Sequence, residues 1–452
     1  NCFQNLVTPG DTSPFNEAER MRYRIQTPLV SGTTYYWRVR ARESGSATWG
    51  SWATTTSFTY IANTDPSQWF QTDDAQFETG TLIDTETTGS GGVQIAVEDP
   101  VEAMIVYGEG AVATPRYRIW DGDSWSASEG SAQSVGGTIQ WVITRAGTTR
   151  REYIAGTQDT GGDVNVQVYD VGAGTWGDLQ EVIGGAGGVS DLTARGFDIA
   201  YETNSGDALV VYCDGNADPS YYVWDGSTWT SGSLPPNLGS ANNCEWIRLA
   251  SDPESDEIIL VARDTGTVYE TQVWDGTAWN PGTTLGSMDD VLHEGIAVEY
   301  EESGNQAVVA VANGTGNNFI WTAWDGSQWS ASPSTETLGN DFEWGMIARD
   351  VGNDRMTLCY GDQSDDLGFI HWDGDGWESP FLEYEATANT GGSGDIDGQV
   401  VSCQHEVTAG RDHLVMIPYS DASNARYQFA SSTLSGEASV STIGFAWTVS
   451  TA

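Results

Sequence analysis

A tryptophan-bracketed hexapeptide, Trp-Asp-Gly-x-x-Trp, recurs along the chain and constrains the fold more than any other feature. Complete copies start at residues 120, 224, 274, 324 and 372, and a degenerate copy (YDVGAGTW) starts at residue 169. The steps between successive starts are 49, 55, 50, 50 and 48 residues, a regularity that indicates a repeat architecture. The tryptophans of the complete copies are predicted to be structural repeat positions: Trp120, Trp125, Trp224, Trp229, Trp274, Trp279, Trp324, Trp329, Trp372 and Trp377.

Each repeat unit has the pattern of four short antiparallel strands. An apolar run, a polar turn and a second apolar run precede each hexapeptide, as in residues 296–298, 301–305 and 307–311. Asp-Gly between two aromatic strands is a strong hairpin signal, because glycine accepts the positive φ that such turns require. There are seven of these polar turns, so a seventh unit follows the six hexapeptides, with Ala430-Ser431-Ser432 where its hexapeptide is expected. No segment shows a sustained 3.6-residue apolar period, so helices should be nearly absent.

Seven four-stranded units with a period of about 50 residues predict an all-β chain with a seven-bladed β-propeller over residues 91–452. Either residues 69–82 or residues 439–449 are predicted to close the ring by supplying a strand to the atypical seventh blade. Ring closure removes exposed sheet edges that would favour aggregation. The predicted blades span about 91–130, 135–185, 190–235, 240–285, 290–335, 338–385 and 395–435.

The first 61 residues differ from the repeats. Residues 29–41 (LVSGTTYYWRVRA), followed by Trp49-Gly50-Ser51-Trp52 and Phe58, resemble the last strands of a fibronectin type III domain. The resemblance covers about half of such a domain and implies a small, partial β-sandwich at residues 1–61. Asn1 stands where the middle of the domain is expected, which predicts a longer modular protein or strands supplied by another chain. Residues 62–90 are predicted to be a linker and a lead-in strand.

Two propeller families share parts of the hexapeptide. Trp-Asp at the end of a third strand resembles the WD-repeat family, but four histidines in the whole chain are too few for that family's histidine network in each blade. Asp-Gly-x-x-Trp resembles the Asp-box of sialidases, a structural hairpin in that family. Sialidase chemistry requires an arginine triad, a Tyr–Glu pair and an aspartate. Arg248 and Arg349 fall near predicted first strands, but the sequence shows no convincing third arginine.

The charge balance excludes several classes of function. The chain has 64 acidic residues and 18 basic residues, all of them arginine, and a formal net charge of −46. Without a basic patch, a conventional nucleic-acid binder or a protein that docks on anionic membranes is not expected. No apolar run approaches the ~20 residues that span a bilayer. Aromatic residues make up 11% of the chain, which favours a folded protein over a disordered one.

The candidate ligand sites are few. No cofactor is predicted apart from calcium, whose hard oxygen ligands could come from three acidic, glycine-rich loops, one of them with Asp159 and Asp163. Asn313-Gly314-Thr315 is a possible glycosylation sequon, with Asn313 as its acceptor. The tryptophans of the hexapeptide could form a sugar-binding ring, although their fixed place in the repeat favours packing between strands. The histidines lack the spacing of a zinc site. The calcium candidates are Asp362, Asp365, Asp366, Asp395 and Asp397.

Four of the five cysteines fall at neighbouring positions across blade boundaries. Cys213 ends a predicted second strand and Cys244 begins the next first strand, and Cys359 and Cys403 are related in the same way. This placement predicts the disulfides Cys213–Cys244 and Cys359–Cys403, with four buried free thiols as the alternative. Disulfides would imply an oxidising compartment. Cys2 would then pair with another segment or subunit.

Two classes of function remain. The first is a non-catalytic extracellular structural or adhesive module, either at the cell surface or as a filament subunit of an appendage. It would associate with itself, with other surface proteins or with glycans. Its support is the fibronectin-like segment, the acidic Thr/Ser/Gly-rich composition and the lack of a catalytic motif; such a combination resembles large secreted prokaryotic proteins. The alternative is a secreted sialidase-like or other glycoside-active enzyme with its site at the propeller axis. Three arginines converging at that axis would favour the enzyme.

Overall fold

The computed structural model consists of β-strands joined by turns and loops. The described residues contain no helix, which confirms the prediction of an all-β chain. The structure describes residues 33–38, 51–52, 55–60, 69–71, 75–76, 93–99, 102–121, 125–147, 149–184, 194–232, 242–280, 282–287, 293–302, 306–313, 317–338, 340, 342–350, 355–362, 367–378, 381–383, 401–405, 413–418 and 426–432.

The chain divides into two compact units, residues 1–70 with 432–443 and residues 71–431 with 444–452. In the first unit, β1 (Thr33–Trp37) pairs with β2 (Thr56–Tyr60) as an antiparallel hairpin. The hairpin lies in the segment that resembles a fibronectin type III domain. The fibronectin-like assignment and the domain boundaries near residues 61 and 90 stay predictions.

Seven antiparallel sheets of four or five strands follow one another through the described part of the chain. Two short strands, β3 (Trp69–Gln71) and β4 (Ala75–Gln76), come before them. The first three sheets contain β5 (Val93–Asp99), β6 (Glu102–Tyr107), β7 (Arg116–Trp120) and β8 (Gly130–Ser131); β9 (Ile139–Gly147), β10 (Glu152–Asp159), β11 (Val164–Asp170) and β12 (Thr175–Ile183); and β13 (Phe197–Tyr201), β14 (Ala208–Tyr212), β15 (Ser220–Trp224) and β16 (Trp229–Ser231).

The remaining four sheets continue the same order. They contain β17 (Cys244–Ser251), β18 (Ile258–Asp264), β19 (Val268–Trp274), β20 (Trp279–Asn280) and β21 (Thr284–Ser287); β22 (Ile296–Tyr300), β23 (Ala307–Ala312), β24 (Asn318–Trp324) and β25 (Ser334–Thr337); β26 (Phe342–Arg349), β27 (Met356–Asp362), β28 (Leu367–Trp372) and β29 (Phe381–Glu383); and β30 (Val401–His405), β31 (His413–Pro418) and β32 (Arg426–Ser432), joined by β3 and β4.

The seventh sheet takes strands from far back in the sequence. Strand β32 pairs antiparallel with β4, with Arg426 opposite Gln76 and Tyr427 opposite Ala75. Strands β3 and β4, which lie within the predicted ring-closing segment 69–82, therefore belong to this sheet. Such pairing covers an edge of β32 that would otherwise be open to another chain.

Neighbouring sheets pack through their first strands. Strand β5 lies beside β9, and the series continues through β13, β17, β22, β26 and β30. The second strands β10, β14, β18, β23 and β27 are buried along their whole length. Their continuous burial follows from coverage on both faces by adjacent sheets, which explains their apolar runs. Successive four-stranded sheets with adjacent first strands are the arrangement of a β-propeller.

The two tryptophans of a hexapeptide face each other across a hairpin. Trp224 lies opposite Trp229, with 5.1 Å between ring centroids. Ring pairs at this spacing add about 0.5–1.5 kcal/mol beyond their buried area. The same cross-strand pair occurs at Trp120 and Trp125, Trp274 and Trp279, Trp324 and Trp329, and Trp372 and Trp377.

The aspartate of the hexapeptide organises the turn between the paired tryptophans. The Asp225 carboxylate accepts the backbone N–H groups of Ser227 and Thr228, both at 2.8 Å. Gly226 has a φ of 87°, a conformation that disfavours any residue with a side chain. The hydrogen bonds from Ser227 and Thr228 lower the pKa of Asp225 to about 2. The ionised carboxylate is therefore the form that this turn favours.

Asp225→Ala is expected to lower the melting temperature, because two turn N–H groups lose their acceptor. Asp225→Asn should cost less, since its amide oxygen can accept the same bonds. A lowered folded-state pKa gives stability that is present above the unfolded pKa and is lost as the pH falls. The difference in melting temperature between wild type and Asp225→Asn should therefore become smaller from pH 4 to pH 2, as measured by thermal unfolding. Equal melting temperatures for all three proteins at pH 7 would contradict this role.

Candidate axial cavity

A cavity of about 400 Å³ lies where the first strands of the second to sixth sheets end. Its wall contains six charged side chains: Arg145, Asp198, Glu202, Arg248, Glu299 and Arg349. Glu202 directly follows β13, and the other five come from β9, β13, β17, β22 and β26, which belong to five successive sheets. In a protein with 18 arginines, three therefore line one cavity.

Arg145 and Asp198 join the second and third sheets. Arg145 Nη2 donates to Asp198 Oδ1 at 2.9 Å, and Arg145 Nε donates to the carbonyl oxygen of Ile199 at 3.0 Å. Asp198 is fully buried and also accepts the backbone N–H groups of Ile199 and Leu249. The ion pair is thus fixed at both ends, and it orients Arg145 along the cavity wall.

Glu294 connects two arginines from different sheets. It accepts a hydrogen bond from Arg195 Nη2 at 2.9 Å, and Arg248 donates to it through both Nε and Nη2. All three side chains are largely buried. Burial, reinforced by the charge of Arg248, lowers the pKa of Arg195 to about 10. Two hydrogen bonds to Glu294 therefore hold Arg248 in place, and the Arg248 side chain also lines the cavity.

Strand β26 brings Arg349 to the cavity wall, and two glutamates lie near its guanidinium group. Arg349 Nη1 lies 3.7 Å from Glu299 Oε1, and its Nε lies 3.3 Å from Glu302 Oε2. Burial raises the pKa of Glu299, although the charge of Arg349 opposes that shift. These longer contacts leave the carboxylates able to accept hydrogen bonds from a ligand.

Three buried tryptophans pack together on the first strands beside this wall. The ring centroids of Trp246 and Trp344 are 5.5 Å apart, and those of Trp141 and Trp246 are 6.0 Å apart. Trp246 precedes Arg248 by two residues, so both side chains leave β17 on the same face. None of the three belongs to a hexapeptide, and the sequence analysis did not single them out. Their ring contacts connect the second, fourth and sixth sheets, and none of the three lines the cavity.

Two tyrosine–glutamate pairs lie near the sheet boundaries. Tyr201, which lines the cavity, donates to Glu152 at 3.2 Å, and Tyr300 donates to Glu257 at 2.9 Å. Burial and the neighbouring Glu152 raise the pKa of Tyr201 well above its usual value. The phenol therefore stays protonated and acts as a hydrogen-bond donor.

The third arginine of the cavity is the residue that sequence reasoning missed. Arg248 and Arg349 were placed near first strands, and the structure brings both to the cavity. Arg145 stands at the end of an apolar run, just before the turn at Ala146-Gly147. An arginine directly before the first turn of a unit is the signal that could have identified it.

The hexapeptide tryptophans have a role between sheets. Four of them donate their indole N–H to a glutamate of the preceding sheet, at 2.6–2.9 Å. We call these contacts the Glu–Trp links: Glu152–Trp224, Glu202–Trp274, Glu257–Trp324 and Glu301–Trp372. They are consistent with packing, since these tryptophans are largely buried and none of them lines the cavity.

Both predicted disulfides are present in the structure. Cys213 bonds to Cys244, and Cys359 bonds to Cys403. Cys213 directly follows the second strand β14 and Cys359 lies in the middle of the second strand β27, and each is bonded to the first strand of the next sheet. The sheets are thus covalently connected at two of their boundaries.

The remaining candidates are only partly within the described residues. Asp362 is buried and accepts a hydrogen bond from Asn340 Nδ2 at 3.2 Å. Among described residues, no group of three or more acidic, histidine or cysteine side chains could hold a metal ion. Asn313 is half-buried and hydrogen-bonded to Asn318. The calcium candidates Asp365, Asp366, Asp395 and Asp397 lie outside the described residues, so calcium binding stays a prediction.

Comparison with known proteins identifies the fold. No protein family model and no curated protein matches the sequence. A lectin from Burkholderia pseudomallei matches the structure with a TM-score of 0.54 at 12% identity, covering 77% of this chain and 97% of that chain. The fold is a β-propeller. A fungal lectin from Aleuria aurantia, described as a six-bladed β-propeller that recognises fucose, aligns with a TM-score of 0.40 at 16% identity, covering 64% of this chain and 90% of that one. Within the described part of the chain, no helix is long and apolar enough to cross a membrane.

Proposed function

We propose that this chain is a non-catalytic extracellular binding module whose axial cavity takes a carbohydrate. The observation that carries the proposal is the wall of the cavity, where each arginine lies beside a carboxylate. Donors and acceptors then alternate over a short distance, which suits sugar hydroxyls, because each hydroxyl both donates and accepts. A lectin with the same fold supports this assignment. We further propose that the seven sheets form a ring of seven blades.

We also place the protein outside the cell or at the cell surface, as an adhesive or filament subunit. Two disulfides support an oxidising compartment. The fibronectin-like segment supports a modular protein that associates with itself or with other surface proteins. A net charge of −46 opposes nonspecific contact with anionic surfaces.

The cavity is tested with the full chain on a glycan array, followed by calorimetric titration of the glycans retained. Arg349→Gln removes a cavity donor from a half-exposed ion pair, and we expect at least a tenfold loss of affinity. That loss corresponds to about 1.4 kcal/mol, in the range of one hydrogen bond to a charged group. Arg116→Gln makes the same change at the Arg116–Glu109 pair of the first sheet and should bind normally. Absence of any retained glycan, or equal affinity of the two variants, would refute the proposal.

A glycosidase is the second candidate, because three arginines line the cavity and a Tyr–Glu pair stands beside it. In this alternative, Tyr201 would attack or assist at the sugar, and Tyr201→Phe would abolish hydrolysis of an aryl sialoside. The contacts favour binding instead. The Tyr201 phenol is held protonated, and the same Tyr–Glu–Trp set recurs at Tyr300, which does not line the cavity. Hydrolysis by wild type that Tyr201→Phe lacks would establish the enzyme.

A further inference from the structure

The inner side of the axial cavity carries an excess of positive charge. Three guanidinium groups, those of Arg145, Arg195 and Arg248, share two carboxylates, those of Asp198 and Glu294. Asp198, Glu294 and Arg195 are at most 5% exposed at their side chains. The side chains of Arg145 and Arg248 are 32% and 15% exposed and line the cavity, so the excess positive charge of this group of five is available there to an anion.

In the same group of five side chains, some arginine donors have no hydrogen-bond acceptor. Both oxygens of Asp198 and both oxygens of Glu294 accept hydrogen bonds from protein donors. Arg195 Nε has no partner among the described residues. Arg248 uses Nε and Nη2 on Glu294, and its Nη1 has no hydrogen bond within the described part of the chain. Donors are therefore left over beside carboxylates whose oxygens already accept hydrogen bonds, and Arg248, which has one of these donors, lines the cavity.

A second group of charged side chains, around Arg349, has more carboxylates than arginines. There, Arg349 lies between two carboxylates, those of Glu299 and Glu302, and Glu299 lines the cavity. Carboxylate oxygens accept hydrogen bonds, so this side suits hydroxyl donors. The cavity wall thus presents guanidinium donors at Arg145, Arg248 and Arg349, and Glu299 of β22, between β17 and β26, supplies a carboxylate acceptor. Its volume, about 400 Å³, lies in the range of small-ligand sites.

We propose that the axial cavity selects a sugar that carries a carboxylate, a uronic acid, over the corresponding neutral sugar. The carboxylate would face Arg248 and Arg145, and the ring hydroxyls would face Glu299. Guanidinium–carboxylate contacts are roughly twice as strong as neutral hydrogen bonds, so the acid group gives the selectivity. This inference rests on the proposed function, because it names the class of carbohydrate for the same cavity.

Matched sugar pairs test the selectivity with the full chain. D-galacturonate is compared with D-galactose, and D-glucuronate with D-glucose, by calorimetry at about 150 mM salt, where the ionic strength limits long-range repulsion from the acidic protein. The members of each pair differ only in oxidation at one carbon. We expect at least one uronate to bind tenfold or more tightly than its neutral partner, and this ratio to fall as salt is raised.

Substitution of Met346 tests whether the preference for the uronate arises in the cavity, and it breaks no ion pair. Met346 lines the cavity and is partly exposed, so Met346→Glu adds a negative charge there, and Met346→Gln adds the same shape without charge. We expect Met346→Glu to abolish the preference for the uronate and Met346→Gln to retain it. Equal or stronger binding of the neutral sugars by wild type would overturn the uronate inference and leave the proposed function intact. Failure of acidic and neutral sugars alike would overturn both, and an unchanged preference in Met346→Glu would place uronate binding outside the cavity.

Discussion

Loss of the two disulfides is expected to lower the free energy of unfolding by about 3–4 kcal/mol for each bond. Cys213–Cys244 encloses a separation of 31 residues and Cys359–Cys403 one of 44 residues. In the unfolded chain, closing loops of this length restricts the conformations that compete with folding. Each bond also joins two successive sheets, so its loss releases a boundary between blades. Chemical unfolding with and without a reductant measures the effect.

The double variants Cys213→Ser with Cys244→Ser, and Cys359→Ser with Cys403→Ser, separate the two contributions. Each double variant should lose about half of the free energy of unfolding that the two disulfides contribute together. The bonds lie at different sheet boundaries, and the effects of distant sites are roughly additive. A variant that lacks both pairs should no longer respond to the reductant. Peptide mapping under non-reducing conditions provides the direct check, and four alkylatable thiols at these positions would contradict the pairing.

The repeated sheets could be predicted because their signals are local. The hexapeptide forms its hairpin through neighbouring residues, as Asp225, Gly226 and the flanking tryptophans show, so each copy can be recognised from a short stretch of sequence. The spacing of the copies then indicates where each unit begins and ends. The predicted fourth unit, 240–285, corresponds to strands that run from Cys244 to Ser287. The disulfides followed from the same map, since antiparallel order alone brings Cys213 near Cys244.

The cavity could not be predicted in the same way, because its parts are brought together only by the ring. Arg145 and Arg349 are more than 200 residues apart, and neither has a local motif. The three axial tryptophans, Trp141, Trp246 and Trp344, also occupy first strands without a repeated phrase. Their association depends on the angle between successive sheets, which no short window of sequence encodes. Sequence reasoning therefore located first strands but not the convergence of their side chains.

Trp274→Phe is expected to destabilise the fold by about 1–3 kcal/mol, the typical cost of leaving a buried polar group without its partner. In the Glu–Trp link of this residue, the indole N–H donates to Glu202 Oε1 at 2.7 Å, from the third sheet to the fourth. Glu202 is 4% exposed, so water does not readily replace the lost donor. Glu202→Gln keeps an acceptor for Trp274 and is the matched control. Urea unfolding at pH 7 should rank wild type and Glu202→Gln well above Trp274→Phe.

The same carboxylate makes stability depend on pH in a defined direction. Burial raises the pKa of Glu202 above its usual 4.5, against the opposing hydrogen bonds from Ser205 and Trp274. The folded state therefore binds a proton more tightly than the unfolded state, and stability falls as the pH rises from about 4.5 through the folded-state pKa. Glu202→Gln removes this ionisation, so its stability relative to wild type should rise between pH 4.5 and pH 7.5. Burial raises the pKa of Glu152 and Glu257 in the same way, and a triple Gln variant should show a larger change. If urea unfolding gives the same difference from wild type at both pH values, the pKa values of these carboxylates are the same in the folded and unfolded states, and the links act only as hydrogen bonds.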